Sequence, residues 1–354
     1  MPIIDQGYQH WSGELSGQAW RWLAITRRGV KTALQGRWIR LAILVAWLPA
    51  LVLAFVLCMW GLVERQSDLV ETFKPFLTGL LGRPVVAGPR EYRVEIWTLC
   101  FHYFLTWELG FIMILVLMAG PNLVSQDLRC NALPLYFSRP LRRIDYFAGK
   151  LGVIATLIGL IVIGPILVAY SLGLLFSLDI TIVRDTLPIL FGSITYGVIV
   201  AISAGLLMLA MSSLTRNSRY VALLWLGVWL ITGTVSVVLI QVDQAQRSRA
   251  VGARYHRWDN EQFLSAELDA AKHDWRPLVS YTANLRRMEE SLIHTNAAWQ
   301  KLIELTPVGQ RGRLMFNLVD TQYPWYWSAG VLIGLAVLSA CVLNLTVKSL
   351  DRIK

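Results

Sequence analysis

The sequence has none of the short motifs by which a single chain hydrolyses ATP or carries out metal or serine chemistry. It holds no GxxxxGK[ST] loop, because its one Gly-Lys pair, Gly149-Lys150, is followed by Leu151 and lacks the upstream glycine. Its five histidines show no HExxH or other close ligand spacing, and no serine lies in a Gly-x-Ser-x-Gly elbow. We therefore predict a chain that is not an enzyme by itself and holds no catalytic residue, cofactor or metal.

Charge and cysteine are also scarce. Charged residues make up 16% of the 354 positions and hydrophobic residues 55%, with a mean hydropathy of +0.50. That apolar content exceeds what one globular core of this size uses, so the composition predicts an integral membrane protein. Of the four cysteines, three lie in apolar segments and one, Cys130, lies in a basic loop, so we expect no disulfide framework.

Six apolar stretches are long enough to cross a bilayer, since about 20 helical residues at 1.5 Å per residue span its hydrocarbon core. They cover residues 41–63, 96–119, 151–178, 187–214, 220–240 and 325–347. Pro49 should kink the first of them. The predicted fold is an all-α polytopic membrane protein with six transmembrane helices.

The segments that flank these spans have distinct patterns. Within residues 1–40, an amphipathic helix is expected at 15–34, with Trp22 and Val30 on its apolar face and Arg28 opposite, lying in the membrane interface. Residues 64–95 should form a polar outer loop. The segment 241–324, with helical patterns near 260–272 and 281–305, is predicted to be a long helical outer segment before the last span.

The distribution of charge predicts the orientation. No signal peptide is visible before the first apolar run, so the amino terminus should stay inside. The inside segments would then be 1–40, 120–150, 215–220 and 348–354, and they hold 16 Lys and Arg against 5 Asp and Glu; the outside segments hold 17 of each. The positive-inside rule therefore predicts a multi-pass protein of the cytoplasmic (inner) cell membrane with both termini inside. Because the basic excess flanks the membrane, anionic lipid is the expected partner and nucleic acid is not.

Two polar side chains, His102 and Glu108, interrupt the second span. A carboxylate in the middle of a membrane costs at least a few kcal/mol unless it is paired, protonated or facing water, which makes Glu108 a functional hypothesis. The alternative is that it bonds a Ser, Thr or Tyr of a neighbouring helix and serves only packing. Both interpretations stay open.

The loop after the second span, residues 120–150, has the most particular pattern in the chain. It carries five Lys and Arg against two acids. A polar turn of helix, SQDLR at 125–129, precedes a Leu-Pro-Leu-Tyr break, the sequence SRPL at 138–141, and a basic aromatic segment that ends in Gly149-Lys150. A solvated basic loop would account for the charges but not for the ordered breakers and aromatics, so we interpret this loop as a docking site for a soluble partner.

These features resemble the permease subunits of ABC-2 type ATP-binding-cassette exporters. The resemblance is specific over VSQDLR at 124–129, NAL at 131–133, YFSRPL at 136–141 and YFAGK at 146–150, and otherwise it is one of architecture. In that family the corresponding segment is the coupling region that contacts a separate ATPase. Two departures are a Gln at position 126, where the family often has Glu, and a longer outer segment before the last span. The resemblance implies ATPase coupling by Gln126, Asp127, Leu128, Arg129, Ser138, Arg139, Pro140, Arg142 and Arg143.

The resemblance also implies a function. The chain would be the membrane-spanning permease subunit of an exporter, working as a homodimer or with a second permease, and ATP would be bound by the partner ABC ATPase. Its charge-poor, Trp-rich spans favour a lipid-like or amphipathic substrate. The alternative is a non-transporting membrane subunit that passes ATP-driven motion to an envelope partner through residues 241–323.

Overall fold

The computed structural model describes residues 20–65, 88–132, 142–177, 181–252, 271–305 and 323–351. Every regular element in these ranges is a helix, and a π-helical turn, Gly227–Ile231, and a 3-10 turn, Arg276–Val279, accompany the α-helices. The α-helices are α1 Arg21–Gln35, α2 Arg37–Ala46, α3 Leu48–Glu64, α4 Arg93–Ala119, α5 Asn122–Arg129, α6 Arg143–Ile161, α7 Ile163–Ser177, α8 Thr181–Leu214, α9 Ser218–Leu226, α10 Thr232–Gly252, α11 Tyr281–Leu292, α12 Thr295–Leu305 and α13 Trp325–Asp351.

Six helical stretches in the described ranges are long and apolar enough to cross a membrane. In chain order, which we use to number the spans, they are Arg37–Glu64, Arg93–Arg129, Arg143–Ser177, Thr181–Leu214, Ser218–Asp243 and Trp325–Thr346. For the residues that the structure describes, the prediction of an all-α fold with six helices able to span a membrane is confirmed.

Four of the spans are interrupted at identifiable residues, and the second is interrupted between α4 and α5, at Gly120 and Pro121. The first breaks at Trp47, so that Pro49, where a kink was predicted, lies in the first turn of α3. The third breaks at Val162, and Pro165 lies in the first turn of α7. Proline is tolerated in the first turn of a helix because the N–H groups of that turn have no hydrogen-bond acceptor within the helix. The fifth span contains the π-helical turn.

One face of the bundle collects α1, α5 and the adjoining ends of the spans, and we call it the α1 face. Thr26 of α1 donates a hydrogen bond of 3.0 Å to the carbonyl of Gly149 in α6. A Cβ added to Gly149 would lie 2.7 Å from the Cβ of Ile25, so the glycine permits this close approach. Leu128 of α5 belongs to a small apolar cluster with Leu209 of α8 and Leu343 of α13.

The opposite ends of the first four spans meet in a buried ion-pair network, which defines the Arg93 face. Arg93 donates from Nε and Nη2 to the two oxygens of Glu64, at 2.9 and 3.1 Å, and from Nη1 to Asp185 at 3.3 Å. Glu64 also accepts from Trp60 at 2.8 Å and from Ser177 at 3.0 Å. The side chains of Arg93 and Glu64 are each only 3% exposed, so this bidentate pair is shielded from water. The network around it joins four helices.

The segment between the fifth and sixth spans enters the bundle from the Arg93 face. Arg276 lies 2.8 Å from Asp243, at the end of the fifth span, and the hydroxyl of Tyr281 lies 3.0 Å from that of Ser203 in α8. Ser203 is 22 residues from Thr181, where α8 begins, which corresponds to about 33 Å of helix. Tyr281 therefore reaches past the middle of the fourth span.

From that depth, α11 and α12 return toward the Arg93 face. Lys301 of α12 lies 2.7 Å from Glu95, in the first turn of α4. Between these ends α11 packs against α4, α8 and α13. The sequence prediction placed all of residues 241–324 outside the spans, whereas the contacts place α11 between them, as a re-entrant helix. The charged side chains of α11 fit there because they are paired with one another and with the spans.

Candidate functional site

The predicted docking region begins with α5, which the fourth span caps. The backbone N–H groups of Val124 and Ser125 donate to Ser212 of α8, at 3.1 and 3.0 Å, and Ser212 donates in turn to the carbonyl of Pro121 at 2.9 Å. The first N–H groups of a helix have no partner within it, and here a serine from another helix supplies one. Gly120 makes this approach possible, because an added Cβ would collide with Met208.

Asp127 ties α5 to the third span. Its Oδ2 atom lies 2.7 Å from Nζ of Lys150 and accepts a hydrogen bond of 2.7 Å from the hydroxyl of Tyr146. The Lys150 ammonium also lies 5.5 Å from the centroid of the Tyr146 ring. Both residues belong to α6, so the acidic turn and the closing Gly-Lys of the predicted motif contact each other. Asp127 thus makes an internal link.

The remaining predicted coupling residues divide into inward and outward groups. Leu128 is buried, whereas Gln126, Arg129 and Arg142 are exposed, and Arg143 is half-buried. Arg142 is the N-cap residue of α6, and its backbone N–H donates a hydrogen bond of 3.2 Å to the side chain of Asp145. The other three predicted residues, Ser138, Arg139 and Pro140, lie outside the described residues. The exposed surface that α5 and the start of α6 offer a partner therefore combines polar and basic side chains with one apolar side chain, Ile144, which is 77% exposed.

His102, the first of the two intramembrane candidates, is paired with α11. Its Nδ1 atom lies 3.0 and 3.1 Å from the two carboxylate oxygens of Glu289, and both side chains are buried. Next to this pair, Glu290 lies 3.4 Å from Arg286 and 3.6 Å from Arg287. The histidine of the second span therefore belongs to a charged cluster contributed mostly by the re-entrant helix.

Glu108, the second candidate, lies apart from this cluster. Six residues separate it from His102, which places the two about 120° apart around the axis of α4. Glu108 shares the helix face of Trp97 and Phe101, and the ring of Trp97 lies 5.5 Å from that of Tyr170 in α7. Its carboxylate is fully buried, and neither oxygen has a hydrogen-bond partner within the described ranges. The two candidates do not form one site.

Sequence reasoning missed the partners of these buried groups. Glu64 and Arg93 were predicted to lie in an outer loop, and Glu289 in an outer segment. The available signal was the intramembrane histidine, since a polar group at that depth requires a partner from another segment. The described ranges contain no group of three His, Cys, Asp or Glu side chains arranged to hold a metal ion.

The chain was also compared with known proteins. No protein-family model and no curated protein sequence matches it.

Proposed function

We propose that the chain is the membrane-spanning permease subunit of an ABC exporter and works as a dimer with two copies of a separate ATPase. The observation that carries this proposal is the way in which α5 is attached to the bundle. It is a short polar helix, attached to the ends of three spans, that leaves Gln126 and Arg129 exposed. That arrangement suits a part that receives force from a soluble partner.

The attachments of α5 would carry such force into the bundle. Ser212 joins α5 to the fourth span, and the Asp127 contacts with Tyr146 and Lys150 join it to the third. The second span itself ends in α5. A displacement of α5 by a closing ATPase would therefore be passed to three spans together, which is what rocking two halves between inward and outward access requires.

The exposed charges support a partner on the α1 face. Arg129 and Arg142 extend from this face, and the loops there carry the basic excess expected of the cytoplasmic side. When a partner shields them from water, each can form a charge-assisted hydrogen bond worth about 1.5–3 kcal/mol. The cytoplasm is where an ATPase would find ATP.

The proposed cargo is lipid-like or amphipathic. The buried ionisable side chains in the described spans are few, and Arg93, Glu64 and His102 are already paired inside the protein. An inorganic ion crossing between the spans would find few ligands. An amphipathic cargo needs mainly apolar surface, which the spans supply in quantity.

The test is reconstitution of the chain with its ATPase, for which the first choice is an ATPase encoded beside its gene. The wild-type chain should co-purify with the ATPase and couple ATP turnover in liposomes to movement of a fluorescent lipid. Gln126→Ala combined with Arg129→Glu should weaken the complex about tenfold or more, because it removes docking hydrogen bonds and reverses one charge. Lys31→Glu, a reversal of an exposed charge on α1, is the matched control.

Two results would contradict the proposal. One is a double variant that binds the ATPase and transports as the wild type does. The other is ATP turnover without cargo movement that depends on an outer envelope protein, which would support the non-transporting alternative instead.

A further inference from the structure

A cleft of about 540 Å³ opens on the α1 face between α1, the adjoining ends of the first two spans, α5 and α6. Its lining includes apolar side chains, among them Ile25, Ile39 and Met118, and polar ones, among them Arg28, Asn122 and Lys150. A cavity that offers both kinds of surface suits an amphipathic ligand, because each part of such a ligand can then meet a matching surface.

The cleft lies where phospholipid headgroups lie. Ile39 is in the first turn of the first span, and Met118 is in the last turn of α4. The first span has 28 residues and is therefore about 42 Å long, which covers the hydrocarbon core and both headgroup regions, so its first turn lies among the headgroups. A lipid in the adjacent leaflet could therefore place its headgroup in the cleft without leaving the bilayer.

The charges in the cleft favour an anion. Two basic residues, Arg28 and Lys150, and one acid, Asp127, line it. Lys150 is neutralised by Asp127 at 2.7 Å, whereas Arg28 is exposed and has no ion pair with a described residue. One positive charge is left over, which matches the single negative charge of a phosphodiester.

We propose that this cleft binds the headgroup of an anionic phospholipid such as phosphatidylglycerol. Arg28 pairs with the phosphate, Asn122 is a nearby donor, and the glycerol and upper acyl carbons lie against Ile25, Ile39 and Met118. A zwitterionic lipid fits less well, because its own cation would lie close to Arg28. The cleft shares Gln126 with the proposed ATPase-docking surface of α5, but its test needs no ATPase.

The experiment titrates detergent-purified wild-type chain with phosphatidylglycerol, phosphatidylcholine or inorganic phosphate and counts bound molecules by native mass spectrometry. The wild type should bind one phosphatidylglycerol about fivefold more tightly than phosphatidylcholine, as expected for one basic residue near a membrane surface. Arg28→Ala should abolish the preference, and Arg28→Lys should keep most of it. Because Arg28 is exposed, we expect both variants to fold. Lipid binding by the Arg28→Lys variant would show directly that a substitution at this position leaves the protein folded.

Arg27 provides the matched control. It is the neighbouring residue, equally exposed, but it lines a groove on the other side of α1 with Leu23 and Thr156. Arg27→Ala should leave the preference for phosphatidylglycerol unchanged. An equal loss in the Arg27 and Arg28 variants would reduce the effect to diffuse surface charge and overturn the site. Full displacement of the lipid by inorganic phosphate would assign the cleft to a free anion and overturn the lipid assignment.

Discussion

His102 of the second span and Glu289 of α11 form a buried contact, with Nδ1 of the histidine 3.0 Å from the carboxylate. This contact holds the re-entrant helix against the second span well below the Arg93 face. Removal of either side chain leaves the other buried without its partner, which costs about 1–3 kcal/mol. The position of α11 should therefore depend on this pair.

A double-mutant cycle tests that dependence. His102→Ala and Glu289→Ala should each lower the thermal stability of the detergent-purified chain, and the double variant should lose less than the sum of the two, because the second change removes a group already unpaired. Tm by intrinsic fluorescence is the measurement. Strictly additive losses would show that the two side chains do not interact.

The network around Arg93 predicts unequal effects from two of its members. Arg93→Ala leaves the buried carboxylate of Glu64 uncompensated and should destabilise the fold by about 3–5 kcal/mol. Asp185→Asn touches a side chain that is 41% exposed and should cost less than about 1 kcal/mol. The comparison uses denaturant midpoints of the two purified variants, and equal losses would contradict the stated role of the Glu64–Arg93 pair.

Glu108 can be tested against Glu64, since both are buried carboxylates in spans. Glu64 accepts four hydrogen bonds from Trp60, Arg93 and Ser177, and Glu108 accepts none within the described ranges. Glu64→Gln should therefore lower folded yield and Tm, whereas Glu108→Gln, which replaces a buried carboxyl group that makes no hydrogen bond within the described ranges, should leave both unchanged or raise them. In reconstituted transport, reduced cargo movement by well-folded Glu108→Gln would show a functional role. A Glu108→Gln protein that fails to fold would instead favour the packing interpretation.

Charge reversal at Asp127 and at Arg129, the two charged residues of α5, should affect different properties. Asp127→Arg places a cation beside Lys150 and removes the contacts with Tyr146, so Tm should fall. Arg129→Asp changes an exposed side chain and should leave Tm unchanged while weakening co-purification of the ATPase. Reversal of both charges should show both effects. If Arg129→Asp binds the ATPase normally, α5 docks no partner through that residue.

Orientation is testable with a cysteine already present. Cys130 is exposed directly after α5, and Trp275 is exposed beside Arg276, near the Arg93 face. In a Cys341→Ser background, an impermeant thiol reagent should label Cys130 in inside-out vesicles, and an introduced Trp275→Cys in intact cells. The reverse labelling pattern would place the α1 face outside, which would exclude docking of a cytoplasmic ATPase on that face.

The spans could be predicted from sequence because each is a continuous apolar run, and length alone decides whether such a run can cross a membrane. Burial of α11 could not, since Arg286, Glu289 and Glu290 within one helix are typical of a solvent-exposed segment. Only a fold that brings His102 to that helix makes its burial favourable. The same reasoning covers Asp127, whose partner in α6 depends on how the third span returns beside α5.

The glycine contact between α1 and α6 has a mechanical consequence. Gly149 packs closely against Ile25, and Thr26 donates a hydrogen bond to the Gly149 carbonyl. We therefore expect α1 and the start of the third span to move together. A bilayer that becomes thinner or thicker changes the tilt of its helices. A change of tilt in the third span should therefore be accompanied by a displacement of α1, and with it of Arg28.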